Sequence, residues 1–168
     1  SAHASAPYKG VNAISKLYNC YEKLLLKYPL PISDEDFRTS INLSKLEGGK
    51  ALNQVPDTAS MYLDIRYVPE CNPEEIITEI EKIDSDIKVK VIEKGLAFKT
   101  DINNKNIQKY LKVCKEVLKE EPKIIKNAAT SDAIYFADKG IPTVLTNPVG
   151  DNPHCKDEFV NKESLLNL

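Results

Sequence analysis

With 168 residues, 42% of them apolar, the chain has enough hydrophobic material for one large domain or two small ones. Its 23 basic and 25 acidic residues are interspersed and leave a net charge of −2, which argues against a nucleic-acid or anionic-membrane partner. Apolar runs are only a few residues long, far short of a membrane span, and no charged-then-apolar signal segment opens the sequence. Cys20, Cys71, Cys114 and Cys155 lack CxxC or zinc-finger spacing and read as reduced thiols of a cytoplasmic protein.

In chain order, Val11 to Leu26 carries Val11, Ile14, Tyr18, Tyr21 and Leu25 at helical period. Thr39–Leu46 and Ala59–Tyr67 alternate as strands, with Gly48-Gly49 supplying a turn between them. Met61, Leu63, Ile65 and Tyr67 share one face of the second strand, opposite Ser60, Tyr62, Asp64 and Arg66. Asn72-Pro73-Glu74-Glu75 is a helix start, with a capping side chain, proline at the first helical position and acids in the first turn. Ile76, Ile80 and Ile83 give that helix a buried stripe, and Ile87, Val89 and Val91 alternate as a third strand.

The order α-β-β-α-β predicts an α+β fold, a ferredoxin-like βαββαβ unit over 1–97 without its opening strand. From 98 to 168 the expected elements are a helix over Lys105–Lys119, a short strand at Lys123–Ile125, a helix capped by Thr130 or Ser131 and closed by Gly140, and a strand at Pro142–Leu145. That segment is an incomplete α/β sheet unit. The first residue is not Met, and the chain stops inside a predicted helix at Lys162–Leu166, so it reads as a piece of a longer polypeptide.

The two histidines stand out. His154 lies in a Pro/Gly-rich loop beside Asp157 and Glu158, following a predicted strand, where open α/β sheets place their chemistry. His3 sits among small residues and Pro7.

Ala2-His3-Ala4-Ser5-Ala6-Pro7, then Gly10-Val11-Asn12-Ala13-Ile14, Asn53-Gln54-Val55-Pro56-Asp57 and Asp64-Ile65-Arg66, resemble the lid of the di-zinc amidohydrolase family. That family includes aminoacylase, acetylornithine deacetylase, succinyl-diaminopimelate desuccinylase and several di- and tripeptidases. Thr130-Ser131-Asp132-Ala133, Gly140-Ile141-Pro142 and His154 to Glu158 resemble the closing part of its catalytic domain. The resemblance implies a lid and dimerisation domain over 1–97 and a C-terminal catalytic-domain part over 98–168, with the first half of that domain, bearing most metal ligands, lying outside the chain.

On that resemblance His154 is a metal ligand, its tautomer fixed by Asp157 or Glu158; the plainer alternative is an exposed loop histidine. His3 is the lid histidine that hydrogen-bonds the oxyanion in the partner subunit's site, against a flexible N-terminal residue. Arg66 grips a substrate carboxylate, against a salt bridge to Asp64; Asn53 flanks the substrate amide or carboxylate, against simple turn chemistry. Thr130 and Ser131 bind substrate at a helix start, against plain capping. Ala128-Ala129, Ile134 and Asn147 depart from residues frequent in the family at those positions.

The implied function is zinc-dependent hydrolysis of an N-acyl amino acid or small peptide amide, with one or two zinc ions or with cobalt or manganese. Deacetylase- or desuccinylase-like specificity is preferred over a dipeptidase or tripeptidase. The chain alone, without the other ligands, is expected to retain no metal and no activity, and to serve as lid and homodimerisation module. A non-catalytic ferredoxin-like binding module is the alternative of another class.

Overall fold

The computed structural model describes residues 1–33, 35–97, 99–126, 131–166 and 168. Two compact units divide the chain, Ser1–Ala97 with Lys126–Ala128 and Phe98–Ile125 with Ala129–Leu168.

The first unit is a mixed α+β body. After a 3-10 turn at Pro7–Lys9 come helix α1 (Ala13–Lys27), strands β1 (Ser40–Gly48) and β2 (Ala59–Arg66), and helix α2 (Pro73–Ile83). Each helix starts on an asparagine: the Asn12 side chain accepts the Ser15 N–H at 3.1 Å, and Asn72 accepts the Glu74 N–H at 3.1 Å ahead of Pro73. Both caps satisfy N–H groups that the first helical turn leaves unpaired.

β1 and β2 pair antiparallel from Ser40↔Arg66 to Gly48↔Ala59. A bulge between Leu43 and Lys45 resets the alternation, so Leu46 stands across from Met61 although its spacing from Leu43 is odd. Gly48 is needed at the hairpin's end: a Cβ there would lie 2.8 Å from both the Ala59 Cβ and the Thr58 carbonyl oxygen. The two strands are joined not by a tight turn but by the loop 49–58.

Cys20, Tyr21 and Leu24 of α1, Tyr28, Ile41 of β1, Ile76 and Ile80 of α2, and Ile87 form one buried cluster, with Met61, Leu63 and Ile65 against it. Tyr62, Asp64 and Arg66 are left on the open face of the sheet. Two sets of ion pairs link α1 to the end of α2 and beyond it. Lys16 meets Asp84 at 2.9 Å and Asp86 at 2.6 Å, while Glu79 takes Lys27 and, at 2.6 Å, the Tyr28 hydroxyl.

The third strand expected over Ile87–Val91 is not formed: those residues join no ladder. In a βαββαβ unit the last strand pairs with the first; among the described residues no such partner strand forms, and the Ile87 N–H instead bonds the Asp84 carbonyl at 3.0 Å and the Val89 N–H the Glu81 carboxylate at 3.3 Å. The segment's alternation survives as packing, with Ile87 buried and Val89 against the core.

The second unit holds α3 (Lys105–Leu118), α4 (Ala133–Asp138), the two-residue strands β3 (Gly150–Asp151) and β4 (Phe159–Val160), and α5 (Lys162–Leu166). Gly140, at φ +71°, ends α4 as expected. Its N–H bonds the Ala137 carbonyl at 2.9 Å, and the Ile141 N–H bonds the Phe136 carbonyl at 3.1 Å, the paired closure of a Schellman motif. The strands expected at Lys123–Ile125 and Pro142–Leu145 do not form among the described residues. Both are short apolar runs that need a neighbouring strand, and Ile124, Ile125, Val144 and Leu145 stand exposed.

Candidate active-site elements on the lid and the C-terminal loop

The first site element is made by the N-terminal segment lying against the loop 49–58. His3 and Gln54 form an isolated antiparallel bridge. The Ala4 N–H bonds the Asn53 carbonyl at 2.8 Å and the Val55 N–H bonds the Ala2 carbonyl at 2.7 Å. The Gln54 carboxamide reaches the Ser1 hydroxyl at 2.5 Å. Within the loop, the Gln54 N–H closes a turn on the Ala51 carbonyl at 3.3 Å, which places Leu52 and Asn53 at its tip, and the Ala13 N–H ties Pro56 to the start of α1 at 2.9 Å.

Two predicted site residues 50 positions apart are thereby held side by side on the backbone, both exposed. His3 is therefore anchored rather than a loose terminal residue. Its Nδ1 lies 2.7 Å from the Ser5 hydroxyl and 3.2 Å from the Ser5 backbone nitrogen. Asn53 serves the turn as well, so its turn role and a binding role coexist.

Arg66 ends β2 on the open face, where Nη2 meets Asp64 Oδ2 at 2.9 Å with both side chains 46% exposed. The salt bridge weighed against substrate binding is thus present, but an exposed pair of this kind contributes only about 0–1 kcal/mol and leaves the guanidinium able to exchange partners.

The second element is the loop between β3 and β4. Its base is closed by the Gly150↔Val160 and Asp151↔Phe159 pairs, and the Asn161 N–H bonds the Val149 carbonyl at 2.7 Å. The Asn161 side chain accepts the Ser164 N–H at 2.9 Å at the start of α5, and the Ser164 hydroxyl takes the Val149 N–H at 2.8 Å. At the crest, Asn152 and His154 both adopt left-handed backbone, at φ 59° and 65°. Such geometry is uncommon for residues with a Cβ, and it marks positions that the surroundings over-determine. Left-handed backbone falls here rather than at Asn147.

The two carboxylates beside His154 do not hold its ring. Glu158 accepts the His154 backbone N–H at 3.2 Å, and Asp157 takes the Asn152 carboxamide at 3.2 Å. They fix the loop's shape, and with it the place from which the exposed imidazole emerges. Sequence spacing put these acids near the histidine but could not tell a backbone partner from a ring partner.

Ser131 accepts the Ala133 N–H at 3.3 Å and so acts as a local cap at α4, while Thr130 and Ala128-Ala129 lie outside the described residues. Ile134 is buried, so that position supplies core rather than a polar contact.

Among the described residues no three His, Cys, Asp or Glu side chains converge to hold a metal ion, and a structural or catalytic zinc needs at least three protein ligands.

The fold has known counterparts. The family model described as "Peptidase dimerisation domain" (M20_dimer) matches residues 1–91, and the chain belongs to that family. Aminoacylase-1 of Pongo abelii is 30% identical over 139 residues, covering 76% of this chain and 34% of that protein. Succinyl-diaminopimelate desuccinylase of a Nitratiruptor species is 25% identical over 170 residues, covering 99% of this chain and 46% of that protein. The crystal structure of a tripeptidase from Staphylococcus aureus superposes with a TM-score of 0.72 at 25% identity, over 99% of this chain and 45% of that one. The chain thus spans between a third and a half of the length of these relatives.

Proposed function

We propose that the chain is the lid and the closing catalytic-domain part of a zinc-dependent metallohydrolase that cleaves an N-acyl amino acid or a small peptide amide. Residues 1–97 form the lid and 98–168 the catalytic part. The observation that carries this reading is the His3↔Gln54 bridge, which sets His3 beside Asn53 inside the segment that matches the dimerisation domain.

Each residue has a task that its place permits. His3 donates a hydrogen bond to the carbonyl oxygen as it gains charge, in the partner subunit's site. Losing one such donor costs about 3–4 kcal/mol in the barrier. Asn53 holds the substrate amide or carboxylate, and Arg66 exchanges Asp64 for the substrate carboxylate, to which its planar fork binds in bidentate fashion. Thr130 and Ser131 bind the substrate at a helix start. His154 is one metal ligand, presented from a braced loop, and the other ligands lie outside these residues.

Deacetylase- or desuccinylase-like substrates remain the preferred class, and the tripeptidase likeness keeps small peptides as the second. The working form is a homodimer through the lid. We place it in the cytoplasm, which suits four free cysteines and the absence, among the described residues, of any helix long and apolar enough to cross a membrane.

The test is an assay of the intact protein against a panel of N-acyl amino acids and small peptides, with His154→Ala and His3→Ala beside it. Hydrolysis lost by more than about 100-fold in both variants is expected. The 168-residue chain with added zinc should turn over none of these substrates. Turnover by that chain that disappears in His154→Ala would overturn the claim that the remaining ligands lie elsewhere.

A further inference from the structure

We infer that Ser5 is the positioning residue that fixes the tautomer of His3. The inference rests on the reading of His3 as a hydrogen-bond donor to substrate. A backbone N–H can only donate, and the Ser5 N–H is aimed at His3 Nδ1 at 3.2 Å, so Nδ1 presents its lone pair. The Ser5 hydroxyl, 2.7 Å from the same nitrogen, is a second donor to it. A neutral imidazole carries one ring hydrogen, which therefore sits on Nε2.

The arrangement is built into a local turn. The Ala6 N–H bonds the His3 carbonyl at 2.9 Å, which folds Ser5 back over the ring, and the Ala4 N–H pins the same turn to Asn53 at 2.8 Å. Ring and backbone are thus held together within one short turn, and Nε2–H has no partner among the described residues. That is the state a donor to a developing oxyanion requires. The other tautomer would offer the substrate oxygen a lone pair in place of a hydrogen, as happens when a partner that orients a catalytic imidazole is lost.

Nitrogen-15 NMR of the full 168-residue chain at alkaline pH reads the tautomer directly. The expected result is His3 protonated on Nε2 alone; Ser5→Ala keeps the longer backbone donor and loses the shorter hydroxyl one, so an Nδ1-protonated minority appears there and is removed again in Ser5→Thr. In the intact protein, Ser5→Ala should lower kcat about 10-fold with KM little changed, a loss typical of removing a group that orients a functional histidine, and Ser5→Thr should restore it. A wild-type ring protonated on Nδ1 would overturn the role of Ser5, and a Ser5→Ala variant whose tautomer matches wild type would overturn the role of its hydroxyl. So would an unchanged kcat in Ser5→Ala while His3→Ala is impaired. A His3→Ala variant with full kcat would instead overturn the catalytic reading of His3, whatever the ring's tautomer.

Discussion

Arg66, on the open face of the sheet, pairs with Asp64 and in the proposed reading exchanges that partner for a substrate carboxylate. Its ion pair with Asp64 is half in solvent, so breaking it should move stability by less than about 1 kcal/mol. A substrate carboxylate held by the guanidinium fork would feel the same change strongly, because an ammonium cannot reproduce two parallel N–H bonds. Arg66→Lys is therefore expected to raise KM about 10-fold with an unaltered melting temperature, whereas Asp64→Asn should leave KM near wild type. Equal KM in wild type and Arg66→Lys would show that the guanidinium does not hold substrate. Sequence alternation had already put Arg66 and Asp64 on the polar face. It could not rank the two partners, since that depends on what meets the open face of the sheet.

At the scale of elements, the first unit is held by a helix pair packed on a two-stranded sheet and stapled at the helix ends. Ile76 is 1% exposed at the centre of the shared cluster, so Ile76→Ala should cost about 2–5 kcal/mol in chemical denaturation. At the second unit's α4, where Gly140 sits at φ +71°, Gly140→Ala should cost about 1–2 kcal/mol although open space surrounds the position. A neutral Gly140→Ala would deny the left-handed closure.

The staples respond to acid. Lys27 first, and then the Tyr28 hydroxyl, hold the Glu79 carboxyl below its ordinary value of 4.5, while the Asp86 backbone N–H and Lys16 hold Asp84 below 3.8. Both folded-state values are depressed, so these groups stabilise the fold fully above their unfolded values. That stabilisation is lost as pH falls through the folded ones. Melting temperature should accordingly decline below about pH 4.5, and Glu79→Gln should flatten part of that decline. An acid limb identical in wild type and Glu79→Gln would exclude Glu79 as a source.

For the molecule as a whole, the sheet of the first unit consists of two strands, and among the described residues each keeps one edge without a partner. Open edges recruit further strands, and this unit belongs to a dimerisation family, so sedimentation of the 168-residue chain should show a reversible dimer. A monomer at every concentration would count against pairing through the lid. The second unit buries few large side chains, Ile107 and Ile134 among them, while Val113, Val117, Ile125 and Phe136 stay exposed. In the proposed reading those faces meet the part of the catalytic domain that these residues do not include.

Helical periodicity, with capping chemistry at Asn72 and Gly140, made the helices legible, because these rest on contacts between near neighbours such as Asn72 with Glu74 and Gly140 with Ala137, while β1 and β2 were legible from their alternation. The strands read at Ile87–Val91 and Pro142–Leu145 failed to form because a strand exists only beside another, and local pattern carries no information about whether a neighbour is present. The same division runs through the site. The motif resemblance nominated His3, Asn53, Arg66 and His154, but the backbone bridge that joins His3 to the 49–58 loop, and the turning of Glu158 toward a backbone N–H, arise from long-range pairing and loop geometry that spacing along the chain does not encode.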